Sequence, residues 1–185
     1  MSASRSLLLT SLTSFYNAHP DYCHIISTII SGNSGLSLRI LDWFVTHYAR
    51  MNNVVYYTDG KQYMSEYPKD GGGAHVKKFN LYLEYRKQLQ SYTKMFFDPF
   101  RRHERITFVV EQDPPCFIET TVGQLNFFRW ATENHVISYV MDNLNDIESH
   151  MASHQKTQKD TTKDVTPKRD IPNTLTHGPC HVLFN

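Results

Sequence analysis

The sequence has almost no charge of one sign to spare: 19 Lys and Arg face 18 Asp and Glu, a net of +1. That balance excludes the global electrostatic footprint by which strongly basic chains hold nucleic acid or anionic membranes. Cysteine is scarce as well. Cys23, Cys116 and Cys180 lie far apart in an odd number, which argues against a disulfide framework and for a reducing compartment. Long apolar runs are missing, and none approaches the roughly 18 residues that a membrane span requires. Leu7, Leu8 and Leu9 open a short run, but it breaks at Thr10 with no small-residue cleavage site behind it, so no secretory signal is expected. The expected setting is the cytosol, or an assembly built from it.

Aromatic residues are plentiful, with 11 Tyr and 11 Phe. They supply packing area at low entropic cost and serve cores and interfaces equally. The length of 185 residues suits one domain. A folded part of about 150 residues would bury roughly two-thirds of its unfolded surface.

Leu7, Leu8, Leu12 and Phe15 are spaced for an amphipathic helix over 5–18, ended by His19-Pro20. The segment 22–30 is rich in β-branched residues, so helix and strand both stay open, with Asp21 as a candidate cap. Ser37 caps a helix from Leu38 to about Met51, whose stripe is Leu38, Leu41, Phe44, Val45 and Tyr48. Residues 54–57 and 62–64 read as a hairpin around Thr58-Asp59-Gly60-Lys61. After the loop 68–73, a helix is expected over 79–93, its first turn ambiguous with a strand. A strand follows over 105–110, ended by Asp113-Pro114-Pro115. Thr121 and Gln124 match a capping box opening a helix through Ala131, and a further helical stretch runs from Val136 to Ile147.

Near His150 the composition turns polar. Residues 151–185 are expected to be a flexible tail that buries too little surface to offset its ordering entropy. Its tip is apolar again at Val182, Leu183 and Phe184, which suits a docking peptide. The expected fold class is α+β: a mainly helical domain over 1–150 with a small antiparallel β element, followed by the tail over 151–185.

Catalytic and cofactor signatures are absent. The histidines lack zinc-site spacing: Cys23-His24 is isolated, His150 and His154 stand four apart, and His177, Cys180 and His181 cluster near the end of the sequence. Cys116, between Pro115 and Phe117, reads as an inert core thiol. The glycines at 71–73 are not followed by the lysine and hydroxyl of a phosphate loop. Neither an enzyme nor a bound metal or cofactor is expected.

The segment 96–105 is richer. It mixes Phe96, Phe97 and Phe100 with Arg101, Arg102, His103 and Arg105, the pairing that single-strand binders use for phosphate contact and base stacking. Its bland counterpart is a proline-broken connector in which Phe97 and Phe100 plug the core while the arginines reach solvent or pair with carboxylates.

Three stretches carry a family resemblance: Ser37-Leu-Arg-Ile-Leu-Asp-Trp-Phe-Val-Thr-His-Tyr48, Phe97-Asp-Pro-Phe-Arg-Arg-His-Glu-Arg-Ile106 and Thr120-Thr-Val-Gly-Gln-Leu-Asn-Phe-Phe-Arg-Trp-Ala131. They resemble small conserved proteins of nucleocytoplasmic large DNA viruses of the mimivirus-like, marseillevirus-like and algal-virus lineages. The resemblance covers roughly residues 25–148 and leaves the tail unmatched. It implies a viral origin and brings no catalytic residues with it.

The functional expectation is a virion structural protein, a minor capsid component that binds other capsid or virion proteins through its aromatic-rich domain and through Val182, Leu183 and Phe184. Its place would be the virion, and the host cytoplasm during assembly. The rival from another class is a nucleic-acid-binding or transcription accessory protein that uses Arg101, Arg102 and Arg105.

Overall fold

The computed structural model describes residues 3–69, 75–112 and 115–163. Helix α1 spans Ala3–Ala18 and buries Leu12 and Tyr16. Helix α2, Pro20–Ile30, starts at once, because Pro20 suits a first turn and Asp21 suits its positive end. The β-branched run is therefore helical, and Cys23, Ile26 and Ile29 at three-residue spacing form its buried face. Helix α3, Leu38–Trp43, is capped by Ser37, whose hydroxyl accepts the Ile40 N–H at 3.2 Å. It runs into a π-helical segment, Phe44–Tyr48, and then α4, Ala49–Met51. Asn53, with φ of 45°, ends the run in the left-handed region that asparagine tolerates.

Strand β1, Val55–Thr58, is the centre of a three-stranded antiparallel sheet, flanked by β2, Tyr63–Met64, and β3, Lys77–Asn80. The β1–β2 turn is held by Asp59, whose carboxylate accepts the Lys61 and Gln62 N–H groups at 2.8 and 2.9 Å. Gly60 supplies the positive φ of 87° that this turn needs. Phe79 belongs to β3, so helix α5, Leu81–Phe96, starts two residues later than its spacing suggests, capped by Asn80. The chain kinks at Thr93, where φ is 60°.

Strands β4, Ile106–Gln112, and β5, Pro115–Thr120, form a separate antiparallel hairpin with Phe108 opposite Ile118. β5 goes beyond the sequence expectation: Pro115 opens a strand instead of closing one. Cys116 is exposed, not a core thiol. It lies past a register shift between Val109 and Glu111, beyond the inward pair Phe108 and Ile118.

Helix α6, Val122–Glu133, is the centre of the molecule. Leu125, Phe127, Phe128 and Ala131 are fully buried, and the Tyr16 hydroxyl donates to the Leu125 carbonyl at 2.7 Å. Helices α1, α2, α5 and α7, Val136–Asp142, all pack on it. Helix α8, Leu144–Lys163, runs through the boundary expected at residue 150. Ile147, Met151 and His154 form a narrow stripe against α3 and the π-helical segment, which holds these turns to the domain. The fold is α+β and mainly helical. Val182, Leu183 and Phe184, with the rest of the expected tail beyond Lys163, lie outside the described residues.

Candidate functional site

The segment between α5 and β4 is shaped by its own residues. The Asp98 carboxylate accepts the Phe100 N–H at 2.8 Å, and the Arg101 N–H reaches the Asp98 carbonyl at 3.5 Å. This turn drives Phe97 and Pro99 inward and Phe100 outward. Phe97 is fully buried, where it meets Phe127 and Trp130 edge-on with ring centroids 5.5 Å away. Phe100, expected in the core, is 37% exposed instead, and the Arg102 guanidinium lies 4.3 Å from its ring centroid.

Helix α6 clamps the segment from below. The Asp98 N–H donates to the Gly123 carbonyl at 3.2 Å, and the Asn126 amide donates to the Phe96 carbonyl at 2.9 Å. Position 123 has little room for a side chain: a Cβ there would lie 3.0 Å from the Met95 carbonyl oxygen and 3.4 Å from Arg101 Cδ, so these neighbours would have to give by a few tenths of an ångström. Thr121 caps the helix as expected, accepting the Gln124 N–H at 3.1 Å. The other half of the capping box does not form. Gln124 accepts from the Thr120 hydroxyl at 3.2 Å and donates to the Pro99 carbonyl at 3.0 Å.

These ties leave a cleft of about 480 Å³ between the segment, the end of α2, the start of α3 and β5. Arg101, Arg102 and Arg105 line it together with Phe100, Phe117, Glu119, Gln124, Ile30 and Leu38. The three arginines proposed from sequence therefore share one wall. Arg101 is the most enclosed, and its carboxylate neighbour Glu104 is distant at 3.8 Å. Arg105 pairs with Glu119 at 2.8 Å, but both side chains are more than half exposed, so the pair contributes at most about 1 kcal/mol. Arg102 has no carboxylate partner among the described residues. Three cations thus face two exposed carboxylates, with Phe117 bare across the opening.

A second cluster was not legible in the sequence. His47 stacks on Trp43 with centroids 4.4 Å apart, and His154 of α8 lies 4.9 Å from the same indole. His150 meets Tyr48 edge-on at 5.2 Å. The indole N–H and the Nδ1 atoms of His150 and His154 are buried without hydrogen-bond partners among the described residues. Asp42 lines the adjoining 310 Å³ cleft, and burial followed by the nearby Asp98 raises its carboxyl above the ordinary range. Among the described residues no group of three or more His, Cys, Asp or Glu is placed to hold a metal ion. No described helix is long and apolar enough to cross a membrane.

Residues 2–174 match a family of unknown function, DUF7197. The chain belongs to this family. The match extends beyond the 25–148 span of the sequence resemblance at both ends. This chain also shares 35% identity over 141 residues with the uncharacterized protein L507 of Acanthamoeba polyphaga mimivirus. That alignment covers 74% of this chain and 49% of the relative, so the chain spans about half the relative's length. The viral resemblance therefore holds toward a giant-virus protein of unknown function; kinship across all large DNA viruses is a broader statement than this match carries. No solved structure matches the chain.

Proposed function

We propose that this protein is a binding protein, not an enzyme, and that its cleft takes single-stranded nucleic acid. The observation that carries this reading is the convergence of Arg101, Arg102 and Arg105 with Phe100 and Phe117 on one cleft. Guanidinium groups meet phosphate oxygens bidentately, and an exposed phenylalanine offers a face to any base. The carboxylate partners are compatible with this use. The Arg105–Glu119 pair is solvent-screened, so a phosphate can replace Glu119 at little cost. The near-neutral net charge means that attraction is confined to such local surfaces.

The test is fluorescence anisotropy with labelled single-stranded oligomers at rising salt. Three phosphate contacts on a single strand give a slope of log K against log salt near −2, from about 0.7 per contact. The Arg101→Gln/Arg102→Gln variant is expected to lose most of that slope and affinity. Binding without salt dependence, or no binding by the natural chain, removes the reading.

A second reading is the virion component that binds other capsid proteins. It is favoured by the cross-strand pair Val109 and Phe117, which leaves an apolar strip on the outer face of the β4–β5 hairpin at 42% and 55% exposure. In this reading Val182, Leu183 and Phe184 add a second contact, and the protein resides in the particle after assembly in the host cytoplasm. Quantifying it in purified particles tests this: a stoichiometry tied to capsid symmetry supports it, and absence removes it.

A further inference from the structure

We propose that the nucleic acid held in the cleft continues along α5 to a second phosphate-binding surface formed by Arg50, Tyr82, Arg86 and Lys87. The proposal rests on the single-strand reading of the cleft. The four residues, with Gln90, line a shallow depression of about 590 Å³ between α4 and α5. The Arg50 guanidinium lies 5.9 Å from the Tyr82 ring centroid, so the ring orients a cation without neutralising it. Among the described residues neither Arg50 nor Arg86 has a carboxylate partner, and only Lys87 is paired, with Glu84 at 2.6 Å. Three cations therefore meet one carboxylate, a larger local excess than the cleft itself carries. All three are exposed.

The topology links this surface to the cleft. Helix α5 begins at Leu81 and ends at Phe96, where the cleft segment starts. From Arg86 to Tyr92, ahead of the kink at Thr93, the helix rises about 9 Å toward the cleft segment, at ~1.5 Å per residue. Lys94, after the kink at Thr93, is a further exposed cation on the stretch of chain that joins the two sites. A chain of phosphates is the anion whose charge repeats over such a distance, whereas a free phosphate or a mononucleotide reaches one site alone. The contacts invoked are to the backbone, so DNA and RNA are both accepted.

Length dependence tests this in the full chain. Binding of a thymidine trinucleotide and of DNA and RNA homopolymers of about fifteen nucleotides is measured at rising salt, for the natural protein, for Arg50→Gln/Arg86→Gln and for Arg101→Gln/Arg102→Gln. Losing two contacts lowers the salt slope by about 1.4, at ~0.7 per single-strand contact. The expected result is that Arg50→Gln/Arg86→Gln shows this loss with the long oligomers and none with the trinucleotide, while the cleft variant weakens both. If Arg50→Gln/Arg86→Gln binds long oligomers like the natural chain, the second surface is idle and the cleft reading stands. If the natural chain binds no oligomer, both fall together. Arg50, Arg86 and Arg102 are exposed and Arg101 is partly buried, and unchanged circular dichroism melts certify that each variant is folded.

Discussion

The Gln124 amide donates to the Pro99 carbonyl at 3.0 Å, joining the first turn of α6 to a loop 25 residues earlier in the chain. The same side chain accepts from Thr120 at the end of β5, so one buried amide ties helix, loop and hairpin at the floor of the cleft. Gln124→Ala leaves the Pro99 carbonyl and the Thr120 hydroxyl without these partners. Each buried group left unsatisfied costs about 1–3 kcal/mol. We expect the variant to melt several degrees lower and to bind ligands of the cleft more weakly. A melt indistinguishable from the natural chain means that water replaces the amide.

The two phenylalanines flanking Asp98-Pro99 separate packing from recognition. Phe97 is fully buried among Tyr85, Phe127 and Trp130. Phe97→Ala is expected to cost about 3–5 kcal/mol, measured by denaturant unfolding. Phe100→Ala, at an exposed position, is expected to cost under about 1 kcal/mol, within the range of ordinary surface changes. Equal losses from the two would return Phe100 to the core.

Asp42 gives the fold a pH dependence with a definite sign. Burial, then the neighbouring Asp98, raises its carboxyl above the ordinary range, while Lys94 and His47 pull it back. A raised folded value means that its stabilising contribution is complete below the unfolded value and is lost as pH rises through the folded one. Above the raised folded value the ionised, half-buried carboxylate therefore opposes folding. Asp42→Asn is expected to raise the melting temperature at about pH 7 and to gain less at about pH 4, near the ordinary carboxylate value. A gain that does not vary with pH would assign the effect to shape instead.

What was legible in the sequence was local. The caps at Ser37 and Thr121 were readable because a hydroxyl and an N–H three residues on define a helix start without help from the rest of the chain. The arginines of the cleft were readable because they are neighbours in sequence. What closes the cleft was not: Ile30, Leu38 and Phe117 arrive from three other elements. β5 was missed because two prolines read as a stop, while a strand is specified by its partner across the ladder. Phe100 was misplaced because residue type signals burial, whereas the Asp98 turn sets direction. The length of α8 was missed because two of its inward positions are histidines, which a count of apolar residues passes over.

The contact between Trp43 and His154, with centroids 4.9 Å apart, ties the turns of α8 beyond residue 150 to α3. Met151 also packs on the core, and both residues lie beyond the boundary that composition suggests. A chain stopped after residue 150 loses both, uncovers the Trp43–His47 stack and shortens α8 within its packed stripe. Loss of two half-buried side chains corresponds to about 1–3 kcal/mol of apolar burial. A chain stopped after residue 163 keeps every one of these contacts. The expected outcome is that the 1–163 protein melts like the full chain while the 1–150 protein melts several degrees lower. Limited proteolysis is then expected to leave a fragment that ends after His154, not near residue 150. Equal melting of the two truncated forms would show that the last turns of α8 add nothing to the domain, and that its boundary lies where the composition changes.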